Sequence, residues 1–539
     1  MDKDWWKKAV FYQVYPRSFQ DSTGSGTGDL AGISNHLEYL RELGIEGLWI
    51  SPFLSSPQKD FGYDVSDYRK VDPMFGTTEE YERLIEKAAR LDIKIIMDLV
   101  LSHTSDKHDW FVESRSSRDN SKSDWYVWAE PKEDGTPPNN WQSVFGGSAW
   151  QYDTRREQYY LHNFLKEQPD LNYHNPDVQQ ECLDIMKYWL DKGVSGFRLD
   201  VFNYLFHDEK LRDNPPNKTG IYRSEQFEKK EPYGMQMHVY DRSRPEMIPF
   251  IARVRELLDK YPEAMTLAEL ADDNSYKIVG EYTSQGRLDT AYNTSLMGGI
   301  NKHLKSSMIE DAFAELDKEA KDAWPSWAFS NHDVVRVATR WGCEDAGKPQ
   351  TAKLFMAILL TLRGTAFIYQ GEELGLPEAN IPYEKLQDPW GIYLWPEWQG
   401  RDGCRTPMPW THDRKHCGFT EADEPWLPIP ASHATRAVDL QEKDTDSVLN
   451  FTKDFIAWRK SEDGLTLGNI VFEDFGEDIL VYKRGKILCV FNLRDKATQI
   501  TTNHNLQEVN LFGAGLTDAS SSGGISLGAF GFGFFRILD

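Results

Sequence analysis

Short runs of apolar and β-branched residues recur along the chain, each followed by a polar loop and then by a stretch with helical spacing. The runs Val10–Tyr15, Ile45–Ile50, Ile93–Leu99, Gly193–Leu199, Met265–Ala268, Asp289–Tyr292, Trp327–Phe329 and Ala366–Tyr369 read as strands. Runs that are apolar throughout are what strands covered on both faces require. Between them, Thr78–Leu91 and Gln179–Lys192 read as amphipathic helices, the second carrying Cys182, Ile185, Met186 and Trp189 at helical spacing. Eight strands alternating with helices predict a closed (β/α)8 TIM barrel, an α/β fold.

Two spacings exceed what simple connections need. From Leu101 towards Tyr188 the chain is rich in aromatic, Gly and Asn residues, with no crossover helix until Gln179. Residues 104–174 therefore read as a subdomain inserted after strand three, leaving 1–103 and 175–461 to the barrel. A second long loop, about 372–439, follows strand eight. Beyond a helix near Val448–Lys460 the pattern turns to short alternating strands: Ile479–Tyr482, Ile487–Phe491, Glu508–Leu511 and Gly533–Ile537. Residues 462–539 are expected to form a C-terminal all-β sandwich, with Ala514–Gly524 a turn region of small residues.

Composition narrows the function. The 40% hydrophobic and 13% aromatic content of the 539 residues supports a packed core. A formal net charge of −24 repels phosphate backbones and anionic bilayers, so nucleic-acid and membrane partners are not expected. The longest apolar stretch, Leu354–Leu360, falls far short of the ~20 residues of a membrane span. Cys182, Cys343, Cys404, Cys417 and Cys489 show no CxxC spacing, which suits reduced thiols in a cytoplasmic protein. The 18 Trp and 24 Tyr are mostly core, although such rings also suit a carbohydrate binder.

In a parallel barrel the C-terminal strand ends share one rim. In order, those ends carry Asp98 and His103, then Arg198 and Asp200, then Glu269, then His332 and Asp333. One acidic strand end is ordinarily a helix cap or a structural ion pair. Three, accompanied by Arg and His, would repel one another without a compensating use. Residues i and i+2 on a strand point the same way, so Arg198 should lie beside Asp200 and favour its ionised form. Glu269, closing the apolar run Met265–Ala268, is expected to carry a proton. That is the division of labour of glycoside hydrolysis.

The segments Asp98-Leu-Val-Leu-Ser-His103, Gly196-Phe-Arg198-Leu-Asp200, the stretch around Glu269 and Ser330-Asn-His332-Asp333 resemble the signature regions of the α-amylase superfamily, glycoside hydrolase family 13. Tyr12-Gln-Val-Tyr-Pro-Arg-Ser-Phe19, Gln168-Pro-Asp-Leu-Asn172 and Arg405-Thr-Pro-Met408 resemble its α-glucosidase/oligo-1,6-glucosidase branch. The resemblance implies Asp200 as nucleophile, Glu269 as general acid and then base, and Asp333 as stabiliser of the distorted sugar ring. It implies that His103 and His332 bind hydroxyls of the same glucose, that Arg198 supports Asp200, and that Tyr63 stacks on the sugar while Asp60 and Arg405 grip its non-reducing end. An Asp60/Arg405 pair closing the pocket makes the enzyme exo-acting.

The same resemblance marks Asp21-Ser-Thr-Gly-Ser-Gly-Thr-Gly-Asp29 as a loop for one structural Ca2+ or Mg2+, with Asp21, Thr23, Ser25, Thr27 and Asp29 as the candidate ligands. Ser25 stands where the family has an Asp, which weakens the attraction for a cation; a metal-free Gly-rich turn is the other reading. No organic cofactor is implied. The partners implied are small α-glucosides such as maltose and isomaltose, for a monomer or homodimer. Val201 accompanies α-1,6 activity in the family, whereas the loop Phe206–Pro216 resembles that of bacterial α-glucosidases which prefer short non-1,6 substrates and transfer glucose readily. Glucosyl transfer and sucrose isomerisation use the same residues. A non-catalytic relative would lack the carboxylates and carry a membrane anchor.

Overall fold

The structure is a computed structural model that describes residues 2–218, 232–298, 303–342, 347–509 and 515–538. Eight parallel strands, Val10–Val14, Gly47–Ile50, Lys94–Val100, Gly196–Asp200, Met265–Glu269, Thr290–Asn293, Ser326–Ala328 and Thr365–Tyr369, close into a barrel in sequence order, the eighth pairing with the first. Nearly every strand position is buried, the physical reason for their unbroken apolar runs. The predicted strands are all present, with ends that coincide or differ by up to three residues.

Local chemistry sets the helix borders. Thr78–Arg90 starts with a capping box formed by Thr77 and Glu80. Pro176–Asp191 starts with Asn175 as cap and Pro176 in its first turn. Gly196, which opens the fourth strand, has φ of 137°, and a Cβ there would lie 2.0 Å from the Met265 carbonyl oxygen. Only glycine lets the strand bearing Asp200 approach the strand bearing Glu269.

After the third strand the chain forms a three-stranded antiparallel sheet, in the order Trp128–Ala129, Gln158–Leu161, Trp150–Asp153, over a small core of Val127, Trp141, Trp150 and Leu161. His103 bridges to Asp170, so this excursion leaves and re-enters the barrel beside the rim. At the C-terminus a five-stranded sheet (Ile470–Asp474, Ile479–Arg484, Ile487–Asn492, Phe532–Leu538, Asn505–Val509) faces a three-stranded one (Thr498–Thr501, Gly524–Leu527, Leu516–Ala519) across a shared apolar core. Leu516–Ala519 overturns the expectation of a turn region at Ala514–Gly524. It is a short edge strand, Leu-Thr-Asp-Ala, with no fully buried position, so no apolar alternation announces it. Leu511, the predicted end of the third C-terminal strand, lies outside the described residues. Among the described residues no helix is long and apolar enough to cross a membrane.

The loop from Asp21 to Asp29 follows the first strand and packs against the long loop after the eighth. Asp21 accepts five hydrogen bonds: from the backbone of Thr23, Gly24 and Gly26 and from the hydroxyls of Thr23 and Thr420. Asp29 accepts from the Ser22 backbone and hydroxyl and from Gly32 N, while Ser25 Oγ donates to Thr27 O. Hard cations take six to eight oxygens, water included. The two carboxylates are satisfied by donors of the protein itself and Ser25 adds no third anion, which leaves a weak donor set for a cation. Thr420 supplies the cross-link instead, together with Asp21 N donating to Phe419 O.

Burial opposes ionisation of Asp21, but the hydrogen bonds from Thr420, Gly26 and Thr23 outweigh it and hold its pKa below the ordinary carboxylate value. A group depressed on folding adds stability above its unfolded pKa of ~3.9 and loses it as pH falls through the lowered value. Thr420→Val is expected to lower the melting temperature at pH 7, since a hydrogen bond to a charged group is worth roughly 1.5–3 kcal/mol, and to change it less and less as pH falls through the lowered pKa of Asp21. Excess chelator should leave the wild-type melting temperature in place. A fall of several degrees on chelation would show that a cation holds the loop.

Candidate active site

Arg198 is the hub of the rim. Strand register sets Asp98 of the third strand and Leu267 of the fifth opposite it. Its Nη1 donates to Asp98 Oδ1 at 2.9 Å and to Asp200 Oδ1, and its Nη2 donates to Glu269 Oε2 at 2.6 Å. The two residues spaced i and i+2 do share a side, as the strand period requires. Both candidate reacting carboxylates therefore sit on the fork of one guanidinium.

The charge balance differs from the sequence expectation. Burial drives the Asp200 carboxyl well above its ordinary range; Arg198 pulls it back, and Glu269 and Asp98 push it up again. Burial also moves Asp98 up to about 6 against the pull of Arg198. Arg198 was expected to hold Asp200 ionised outright. One cation is divided among three carboxylates, so its pull on Asp200 is weaker than a one-to-one pair would give.

A second pair of guanidiniums stands across the pocket. Arg405 Nη2 donates to Asp333 Oδ1 at 2.8 Å and its Nε to the His332 carbonyl at 2.6 Å. Arg401 donates to Asp60 Oδ1 at 3.0 Å, to Asp388 Oδ1 at 2.8 Å and Oδ2 at 3.0 Å, and to Asp333 Oδ1 at 3.2 Å. This corrects the expected Asp60/Arg405 pair: the partner of Asp60 is Arg401, because Arg405 is committed to Asp333. The signal was present as two arginines four residues apart in Arg401-Asp-Gly-Cys-Arg405, but the motif drew attention only to the second. Burial would raise Asp333, yet His332, Arg401 and Arg405 together hold it well below the usual carboxylate range.

Two neutral histidines complete this side. Burial pushes His103 down to about 4 and His332 to about 3. The Tyr63 ring lies parallel to the His332 ring, 5.5 Å away at 2°, and its hydroxyl donates to Asp98 Oδ2 at 3.2 Å. Gln168, fully buried in the motif after the inserted sheet, donates from Nε2 to Asp60 Oδ2 at 3.2 Å and lies 3.1 Å from His103 Nε2. It joins the excursion to Asp60 and His103, a link its motif did not disclose.

The opposite side is apolar. Val201, directly after Asp200, has φ 33° and ψ 48°, a left-handed conformation that a β-branched residue rarely adopts. Its backbone N donates to Glu269 Oε2 at 3.3 Å. Its side chain is buried with Val144, Tyr204, Tyr233 and Ala271, flanked by Phe164 and Trp390. The Phe206–Pro216 segment is fastened to the inserted sheet by Asn139 and Trp141, which donate to Leu211 O at 3.1 Å and Arg212 O at 2.9 Å. The site thus pairs a charged, hydrogen-bonded group around Arg198, Arg401 and Arg405 with an apolar cluster around Val201.

The family model for the catalytic domain of alpha amylase matches residues 13–468. A probable alpha-glucosidase of Rhizobium meliloti (strain 1021) is 49% identical over 502 residues, covering 92% of this chain and 90% of that protein. The oligo-1,6-glucosidase of Heyndrickxia coagulans is 40% identical over 501 residues, covering 86% and 87%. The crystal structure of an alpha-glucosyl transfer enzyme matches with a TM-score of 0.95 at 47% identity over 99% of both chains. Matches of this extent make the chain a member of the alpha-amylase family, glycoside hydrolase family 13, in its α-glucosidase branch.

Proposed function

We propose that the protein is an exo-acting, retaining α-glucosidase that removes terminal glucose from the non-reducing end of short α-glucosides such as maltose and isomaltose. The observation that carries this reading is the shared Arg198 fork, which keeps Asp200 and Glu269 side by side. Retention needs the two carboxyls about 5–5.5 Å apart, whereas inversion needs about 6.5–9.5 Å to seat a water between them and the sugar.

In the first step an Asp200 oxygen forms a bond to C1 as the C1–O glycosidic bond breaks, and the leaving oxygen takes the proton of Glu269. In the second, Glu269 removes a proton from water, the water oxygen bonds to C1, and Asp200 departs as a carboxylate. Two displacements restore the α configuration. Asp333, held ionised by Arg401 and Arg405, can stabilise positive charge developing on the ring. The Arg401 ion pairs with Asp60 and Asp388 close the glucose end, so that a chain cannot run on past it.

The apolar surroundings of Val201 favour a second outcome. An acceptor sugar can lay its C–H face against the rings there and present a hydroxyl in place of water, which is glucosyl transfer. An oligo-1,6-glucosidase is the alternative within the same chemistry. The two sides of the pocket support hydrolysis of more than one linkage, with α-1,4 ahead of α-1,6.

Asp200→Asn should abolish turnover of every α-glucoside. Glu269→Gln should cost roughly 10²–10⁴-fold on maltose, the usual worth of a general acid, and much less on an aryl glucoside with a good leaving group. Normal maltose hydrolysis by Glu269→Gln would overturn the assignment. Proton NMR of the first product should register α-glucose before mutarotation.

Arg401→Lys should raise KM for maltose at least about tenfold with a smaller effect on kcat, since an ammonium cannot span Asp60, Asp388 and Asp333 as a planar fork does. Soluble starch should be a poor substrate, and release of internal fragments from it would exclude the closed pocket. Val201→Thr should shift the maltose/isomaltose ratio of kcat/KM towards maltose. One methyl or hydroxyl is worth about 10–200-fold in discrimination, and an unmoved ratio would assign linkage preference to the Phe206–Pro216 loop.

A further inference from the structure

Gln13 lies on the first barrel strand, almost fully buried, in a motif to which the reaction above gives no role. Its Nε2 is 3.0 Å from Ser51 Oγ and 2.7 Å from Nδ1 of His332, while its Oε1 is buried without a partner. This amide orientation uses both hydrogens and leaves one acceptor idle. The reverse orientation would bury an NH2 with two idle hydrogens, the costlier choice. His332 Nδ1 is therefore an acceptor. In a neutral imidazole the proton then sits on Nε2.

That proton faces Tyr63 Oη, with Asp333 Oδ2 3.2 Å from the same nitrogen. Tyr63, accepting from His332, has its own hydrogen free for Asp98 Oδ2 at 3.2 Å, and the other Asp98 oxygen accepts from Arg198. All the hydrogens in this chain point one way. With the ring proton on Nδ1, His332 would draw the Tyr63 hydrogen to itself, and Asp98 would lose a donor beside the reacting carboxylates.

We propose that Gln13 is a positioning residue: it fixes His332 as the Nε2–H tautomer and thereby sets the direction of the hydrogen-bond chain from Gln13 through His332 and Tyr63 to Asp98. Among the described residues Gln13 is the hydrogen-bond partner of Nδ1. The other groups facing the ring are Asp333, Arg405, Arg401 and Arg198, which act on its charge, Tyr63 at Nε2, and the Tyr15 ring stacked 5.7 Å away. Burial is the largest influence and keeps the ring neutral, leaving the choice of nitrogen to Gln13. The inference rests on the α-glucosidase reading only for its activity assay.

The test is the pH profile of kcat/KM on an aryl α-glucoside for wild type, Gln13→Glu and Gln13→Met. In Gln13→Glu the Glu/His332 pair carries one extra proton at low pH, where the ring keeps Nε2–H. When that proton leaves, the ring hydrogen moves to Nδ1 to face the carboxylate. Activity should then fall about tenfold through a limb that wild type lacks, one hydrogen bond of ~1.4 kcal/mol. Gln13→Met should lose about five- to tenfold at every pH with no new limb. A Gln13→Glu profile that follows wild type would overturn the proposal. Ring-nitrogen NMR shifts of 15N-histidine protein, with His332 identified by its loss in His332→Gln, read the tautomer without any turnover. Nε2–H is expected in wild type, and Nδ1–H there would overturn the proposal. Inactive wild type with an Nε2–H ring would count against the glucosidase reading and for this one.

Discussion

A single buried guanidinium is shared by three carboxylates, and the rest of the rim is arranged around that shortage of positive charge. Counting the further carboxylates Asp60, Asp333 and Asp388, the pocket sets six acids against the three arginines Arg198, Arg401 and Arg405. The deficit is larger at Arg198, where one cation meets three acids, than at Arg401 and Arg405, where two cations meet Asp60, Asp333 and Asp388 and both reach Asp333. That asymmetry separates the site into a half that exchanges a proton and a half that holds a permanent negative charge. Only a closed barrel brings groups from so many separate strands to this spacing, and only a core as apolar as this one makes their desolvation felt.

The same asymmetry runs through the polar and apolar faces. Around the glucose end, fixed donors and acceptors come from the barrel, from Gln168 beyond the inserted sheet and from the long loop after the eighth strand. Around Val201 the contacts are mostly between hydrocarbon and aromatic surfaces. Directional contacts read the sugar to be removed, and non-directional ones tolerate what it is attached to. The relatives named as a glucosidase, an oligo-1,6-glucosidase and a glucosyl transfer enzyme differ in activities that fall on the tolerant side.

Much of this was legible in the chain itself. Strands covered on both faces leave continuous apolar runs, so the barrel could be read, and the acids Asp200, Glu269 and Asp333 stood out because nothing apolar explains them at strand ends. What escaped lies in contacts between distant segments. Arg401 and Arg405 look alike in sequence, and only folding decides which reaches Asp60. Gln13 looks like one polar residue in a buried strand until His332, 319 residues away, is set beside it. Leu516–Ala519 escaped for a different reason, being an edge too short and too polar to show a period. A one-to-one pairing of Asp200 with Arg198 is visible in sequence, and the division of that cation among three acids is not.

The left-handed backbone at Val201 bears on how such an enzyme evolves. A β-branched residue held there costs of order 1–3 kcal/mol, a large fraction of a protein's net stability. Glycine would relieve the backbone but give up the buried contacts of the Val201 side chain with Val144, Tyr204, Tyr233 and Ala271 and loosen the unfolded chain. Strain and packing therefore oppose each other at one residue beside Asp200, and a lineage cannot shed the first without losing the second.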